Sequence, residues 1–373
     1  MTNSNLEELK SMALTNPKKK ILMLGHDQFG ESTTTFKQCE FARDTYDITY
    51  IGWDYGTPKF ELPNVNVKYI SRESNLIVRN LRFFRAFHKE IRNGYDIVFV
   101  KYIRFIALLR LFNRKANFVV YVDTLGVMQS RIKRFIFDFT LKLELSFFKN
   151  IALISKGIGQ KLGIKKFHVL PLGGDCYATN KKEFERLSLL YVGTLANRNI
   201  LETVIGFHRF IDEQKRNDLP VDAEFVIVGN SYFDELKEIR QYIIENDLEG
   251  HIKTTGYLER NRLHPFFEKA NIGVSYVPIR PYYQHQPPTK TYEYLISGLP
   301  VIATKTAANV EIISDDAGVL INDDPESFFN AICAVKENKN GYDSDKLRAE
   351  YEKHTWQRVV NDNFIPLIEE LLV

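Results

Sequence analysis

The sequence predicts an α/β protein built from two similar parallel-sheet domains that face each other across a cleft. Three observations predict it. Short apolar runs such as "KKKILML", "YDIVFV" and "NFVVYVDT" alternate with segments of helical spacing through the first half. Runs that stay apolar instead of alternating with polar residues belong to strands covered on both faces. After the charged stretch "NKKEFERL" the alternation starts again, from "SLLYVGTL" to "GVLIN". The chain of 373 residues also exceeds the size at which one core goes on growing. The expected division is 1–180, 181–355, and a closing helix over 356–373 that returns to the first domain.

In order, "KKKILMLGHDQFG" reads as a strand entering a glycine-containing loop, and "STTTFKQCEFARD" as a helix with a threonine-rich start. "YDITYIGW" and "VNVKYI" are strands. A basic, aromatic helix over 76–93 precedes "YDIVFV", and a short helix precedes "NFVVYVDT", which ends at Asp123. A long basic helix over about 127–149 leads to "IALIS" and "KFHVLPLGGD". In the second half, "ILETVIGFHRFIDEQK", "FDELKEIRQYIIEND" and "NRLHPFFEKA" are helices between the strands "AEFVIVGN", "IKTTGYL" and "IGVSYVP". The last segments, "PESFFNAICAVKEN", "DKLRAEYEKHT" and "WQRVVNDNFIPLIEELL", are helical, the final two amphipathic.

The stretch "HQPPTKTYEYLISGLPVIAT", from His285, is the most informative. Pro287 and Pro288 hold the incoming chain extended, and Thr289 is placed to cap the helix that follows. Gly298 ends that helix and Pro300 enters a buried strand. The helix N-terminus opens toward whatever the proline loop encloses, and its free amides favour an anion. With Glu293 one turn inside, the arrangement suits a ligand carrying phosphate at one end and hydroxyls at the other.

Composition is that of a globular protein, 44% hydrophobic and 26% charged. Cys39, Cys176 and Cys333 are scattered, which argues against a disulfide framework and for a reducing compartment. The polar leader "MTNSNLEELKSMALTNPKKK" has no signal-peptide core, so a cytoplasmic location is expected. The net charge of +3 hides an asymmetry, because residues 72–150 carry 16 Lys and Arg against 6 Asp and Glu. Phenylalanines interleave with those cations at helical spacing. Core packing with solvated cations is one account of them; docking on an anionic membrane surface is the sharper one. No nucleic-acid-binding module accompanies them, so nucleic acid is not expected as a partner.

Taken together, "LLYVGTLANRNILETVIGF", "FVIVGN", "IKTTGYLERNRLHPFFEKANIGVSYVP" and "PPTKTYEYLISGLPVIAT" resemble the donor domain of family 4 glycosyltransferases. "ISKGIGQKLGIKKFHVLPLGGD" is similar to that family's interdomain junction and "TWQRVVNDNF" to its closing helix. The resemblance implies the glycosyltransferase B fold, two Rossmann-like domains across a cleft, and sugar transfer with retention of configuration. It implies that Glu293 binds the donor ribose, and that Lys290, Thr289 and the helix amides face the diphosphate. The family's first glutamate lies eight residues before the second, where this chain has His285, which is expected on the donor side together with Gly193. Arg198, one place before Asn199 and beyond Gly193 and Thr194, is the expected guanidinium for the phosphates. Gly256 and Tyr257 correspond to residues flanking the base, and Gly30 to the loop over the diphosphate. Asp123 stands near the family's cleft-facing histidine and is the candidate for acceptor hydroxyl recognition or activation, with His26 on the same acceptor side.

Asp123, Arg198 and Lys290 are therefore the expected catalytic groups. No cofactor or metal is expected, since cations and amides of the chain can stabilise the leaving diphosphate and no Asp-x-Asp pair sits at a strand end. The implied partners are a nucleotide-sugar donor and a saccharide or lipid-linked saccharide acceptor, in surface polysaccharide or glycolipid synthesis. Two alternatives stay open: a sugar-nucleotide epimerase of the same fold, and a degenerate member that binds sugar nucleotide as a scaffold. Glu293 as an ordinary helix residue and Asp123 as a helix cap are the plainer accounts of those two positions.

Overall fold

The computed structural model describes residues 17–373; most of the polar leader, and with it the start of the 1–180 unit, lies outside the described residues. The first sheet has seven parallel strands: β1 (Lys20–Leu24), β2 (Asp47–Asp54), β3 (Val65–Ser71), β4 (Ile97–Lys101), β5 (Phe118–Val122), β6 (Asn150–Leu153) and β7 (His168–Val169). Their order across the sheet is β3-β2-β1-β4-β5-β6-β7. Ile21–Leu24 and all of β5 are buried, as strands covered by helices on both sides must be. Helix α1 (Thr33–Ala42) follows β1, α2 (Leu76–Ile91) follows β3, α3 (Ile106–Phe112) follows β4, α4 (Arg131–Leu145) follows β5 and α5 (Lys156–Leu162) follows β6.

The second sheet has six parallel strands, β8 (Leu187–Val192), β9 (Ala223–Val228), β10 (Ile252–Gly256), β11 (Ile272–Ser275), β12 (Val301–Thr304) and β13 (Gly318–Ile321), in the order β10-β9-β8-β11-β12-β13. Its helices are α6 (Ile200–Arg216), α7 (Glu235–Glu245), α8 (His264–Lys269), α9 (Thr289–Ile296), α10 (Ala307–Ile312) and α11 (Pro325–Glu337). Both sheets are Rossmann-like, and each changes direction once in its strand order, between β1 and β4 and between β8 and β11.

Two local readings need correction, and one helix was not foreseen. Helix α4 begins at Arg131, not near Val127, because Ser130 caps it by accepting a bond from Lys133 N at 3.4 Å. Thr289 does not cap α9; Pro288 occupies the cap and Thr289 is the first helical residue, with no side-chain capping bond. Proline's fixed φ and missing N–H suit that boundary, which leaves the threonine hydroxyl free of a capping role. Helix α10 lies between "VIAT" and "GVLIN", where no periodicity marked an element; Thr306 caps it by accepting from Asn309 N. Gly298 does adopt the left-handed conformation that ends α9, at φ 77°.

After α12 (Ser344–Tyr351) the chain continues through α13 (Trp356–Val359), one π-helical stretch (Val360–Phe364) and α14 (Ile365–Leu372). Val360, Phe364, Leu367 and Ile368 are buried in one cluster with Ile21, Met23 and Phe99 of the first sheet. Asn117 Nδ2 donates to Leu371 O at 2.9 Å across the same contact. The two passes between the domains touch: Gly174 N donates to His354 O at 2.9 Å, and Trp356 N to Gly174 O at 3.1 Å. A Cβ on Gly173 would lie 2.9 Å from Trp356 Cα. Among the described residues, no helix is long and apolar enough to cross a membrane.

Trp356 is 2% exposed, and its Nε1 is buried without a hydrogen-bond partner. Trp356→Ala is expected to cost about 3–5 kcal/mol by urea denaturation followed by circular dichroism. Trp356→Phe, which keeps a ring and removes the unpaired N–H, is expected to cost less than half as much. Equal losses for both would show that the tryptophan's packing does not carry the contact.

Candidate active site

The carboxyl ends of both sheets point into the cleft, and the loops at each change of strand order diverge to leave room for a ligand. On the first domain, Lys101 ends β4. Its Nζ lies 2.9 Å from Asp123 Oδ2, 2.9 Å from Asp27 Oδ2 and 3.3 Å from Ser32 Oγ. Burial pulls the pKa of Lys101 down, but Asp123 and Asp27 outweigh it and hold the ammonium above its ordinary range. Asp123 is thus anchored by an ion pair at the wall of an interdomain cavity of about 280 Å³, lined also by Ser32, Thr33, Thr124, Gln286 and Thr289.

His26 and Gly30 do not line that cavity. His26 is exposed, with Nε2 3.4 Å from Asp27 Oδ1. Gly30 has φ 95°, and a Cβ there would fall 2.4 Å from the Phe60 ring, so packing and turn geometry account for the glycine. The part of its loop that reaches the cavity is Ser32 and Thr33.

On the second domain, Gly193 follows β8 at φ 144° and leaves space for Lys290, whose Nζ would lie 3.1 Å from a Cβ at that position. Lys290 Nζ sits 3.7 Å from the centre of the Tyr191 ring. No carboxylate lies within ion-pairing distance of it among the described residues. Burial first, then the neighbouring Arg198, push its pKa well below the ordinary lysine value, with Glu293 opposing. Arg198 lies between Asn197 and Asn199, both left-handed; it bonds the Tyr283 hydroxyl and its guanidinium carbon is 4.4 Å from the centre of that ring.

Glu293 stands half-buried one turn into α9. Burial and then Asp175 push its pKa up to about 7, against the pull of Arg260, Lys290 and Lys37. Asp175 is brought there by Gly174, whose Cβ would lie 2.9 Å from Glu293 N. It pairs with Lys37 of α1 at 2.9 Å, and Lys37 also holds Glu40 at 2.9 Å. Arg260 bonds the Thr33 hydroxyl across the cleft. Gly256 has φ 78° with open space around it, and the Tyr257 side chain is 74% exposed; neither lines the cavity.

His285 occupies an unforeseen place. Its backbone O accepts from Ser155 Oγ at 2.7 Å, and its ring packs where a Cβ on Gly157 would be 2.3 Å from Nδ1. The histidine therefore belongs to the second domain by sequence and rests on the first. Beside it Thr124 Oγ1 donates to Gln286 Oε1 at 3.0 Å.

The structure thus places Asp123 and Thr289 on the wall of the cavity and groups Lys290, Arg198 and Glu293 around the first turns of α9, outside its lining; His26, Gly30, Gly256 and Tyr257 do not line it either. It adds Asp27, Lys101 and Lys37, which no motif marked, and Asp175 and Arg260, which lie in stretches that carry the resemblance but were given no role. A signal for Lys101 and Asp123 was present: each is the charge that closes an apolar strand.

Residues 186–338 match the family model described as Glycosyl transferases group 1. The matched segment runs from the start of β8 through α11, and so contains Arg198, Lys290 and Glu293. Over the full chain the fold is the glycosyltransferase B fold, as solved structures show. Sucrose-phosphate synthase from Thermosynechococcus elongatus is 17% identical, with a TM-score of 0.74 over 95% of this chain and 99% of that one. HepE of Anabaena, solved in complex with UDP, is 13% identical with a TM-score of 0.73 over 94% and 100%. The lipopolysaccharide outer core galactosyltransferase WaaB in its apo form is 14% identical with a TM-score of 0.68 over 94% and 99%. At these identities the likeness is one of fold. A search of curated proteins gave no match.

The Glu293 carboxyl predicts a pH effect with a definite sign. The folded protein binds its proton up to about pH 7, whereas the ordinary value is 4.5. Stability therefore falls as pH rises between those values, by about 2 kcal/mol at most for a half-buried group. Glu293→Gln is expected to raise the melting temperature of the free protein at pH 8 by a few degrees and to leave it unchanged at pH 4.5. A variant that melts lower than the parent at pH 8 would contradict the strained carboxylate.

Proposed function

We propose that this protein transfers a sugar from a nucleotide-sugar donor to a saccharide acceptor, with retention of configuration and without a metal ion. The observation that carries the reading is the buried Lys290 amine, which has no carboxylate partner among the described residues and stands beside Arg198 at the start of α9, below Gly193. Arg198 and the free amides of a helix N-terminus favour an anion there. A bound diphosphate would favour the ammonium form that burial of Lys290 disfavours. Glu293, one turn on, is spaced to accept hydrogen bonds from the two ribose hydroxyls.

In this reading the bond between the sugar's anomeric carbon and the diphosphate oxygen breaks as charge develops on that oxygen, where Lys290 and Arg198 stabilise it. The acceptor hydroxyl oxygen bonds the same face of the anomeric carbon, and its proton passes to the departing diphosphate. Asp123 accepts a hydrogen bond from the acceptor and orients it. Its ion pair with Lys101 fits a positioning role better than that of a free base. The acceptor is taken to be carried by a lipid, and the site of action to be the cytoplasmic side of a membrane.

A thermal-shift screen of UDP, GDP, ADP and CMP and their sugar conjugates tests the donor site. One nucleoside diphosphate is expected to raise the melting temperature by mass action. Arg198→Ala and Lys290→Ala are each expected to weaken that binding roughly 10–100-fold, the loss of one charge-assisted contact. Stabilisation by none of these ligands would defeat the proposal. Conversion of a sugar nucleotide into its epimer in the absence of acceptor would replace transfer with epimerisation.

A further inference from the structure

Helices α2, α3 and α4 form one layer over the first sheet, with Phe83, Phe87, Ile106, Leu109, Leu141 and Leu145 turned into its core. A second apolar set points away from that core. On α4 it is Ile132, Phe135, Ile136, Phe139 and Leu143, at spacings of three, four, seven and eleven residues, which is a continuous stripe on a helix. Ile132 is 73% exposed, Phe135 70% and Phe139 57%, and the two phenylalanine rings lie 6.3 Å apart. Leu76, Ile77 and Leu81 of α2 and Leu108, Leu111 and Phe112 of α3 are exposed beside them. An apolar patch of this extent on a folded domain marks an interaction surface.

The charges on the same layer say what it meets. Between residues 72 and 150, eleven of the 16 Lys and Arg side chains are exposed, among them Arg82, Arg85, Lys89, Arg131, Lys133 and Lys142. Of the 6 carboxylates in that span only Glu73 is exposed. The others are turned onto donors of the protein: Glu90 onto Lys68 at 2.8 Å, Asp96 onto Lys20 N at 2.8 Å, Asp123 onto Lys101, Asp138 onto Gly126 N at 3.4 Å and Glu144 onto Phe105 N at 3.0 Å. The outward face is therefore apolar and cationic at once. A second copy of the chain would oppose like charges across a twofold axis. An anionic bilayer offers headgroups to the cations and acyl chains to the phenylalanines.

We propose that the α2–α3–α4 layer docks this protein on the surface of an anionic lipid bilayer, with the α4 stripe inserted at the headgroup boundary. The docked face adjoins the acceptor side of the cleft. The loop from Asp123, which lines the cavity, runs through the exposed Val127 directly into α4. A saccharide held on a lipid in that bilayer reaches the cavity along this loop. The link to the acceptor rests on the transfer reading above; the docking itself does not.

Co-sedimentation with vesicles tests the docking. The protein is expected to pellet with phosphatidylcholine vesicles containing about one-third phosphatidylglycerol, and to stay in solution with phosphatidylcholine alone. The double variants Phe135→Ser/Phe139→Ser and Arg131→Glu/Lys133→Glu are each expected to reduce the bound fraction roughly tenfold, with the melting temperature unchanged because all four side chains are exposed. Equal binding to both vesicle types, or undiminished binding by both variants, would overturn it. So would a dimer in light scattering that Phe135→Ser/Phe139→Ser converts to monomer while vesicle binding is absent. Nucleotide stabilisation measured without vesicles reads the donor site separately, so the two proposals fail independently.

Discussion

The pinch at Gly173 and Gly174 is the constraint on which the arrangement of the cleft depends. The outgoing chain passes with the backbone of Trp356 close on one side and the first turn of α9 close on the other. Neither side leaves room for a Cβ, so both residues must be glycine for the two passes to lie in contact. That contact fixes where the second sheet stands over the first. It also delivers Asp175, the next residue, to Glu293 and Lys37, joining three elements that are far apart in sequence.

The strands were legible because a parallel sheet buried on both faces leaves little freedom in its sequence. "FVVYV" has no polar residue to confuse with anything else, and β5 falls on it. Helix ends were harder. In "LGVMQSRIKRF" the apolar Val127 and Met128 extend the helical pattern beyond the capping Ser130, and spacing does not distinguish an exposed loop valine from a buried helical one. Helix α10 was hidden for the opposite reason, since six residues are too few to show a period.

Glu293, Lys290 and Arg198 could be proposed from the sequence because one local motif and one loop carry them. The Asp27–Lys101–Asp123 cluster was not, because its members come from the ends of three different strands and meet only through the strand order. Gly30 and Tyr257 were placed by likeness to a family alone, which transfers a backbone position; at Gly30 that position also has to accommodate the Phe60 ring.

The departure at His285 is half of a pair. Its ring fills the space that Gly157 leaves on the opposite domain, so the histidine works as a latch whose keeper is a missing side chain. The proline loop that leads into α9 is thereby held against the first domain at this point, and any side chain at position 157 has to displace the ring to fit.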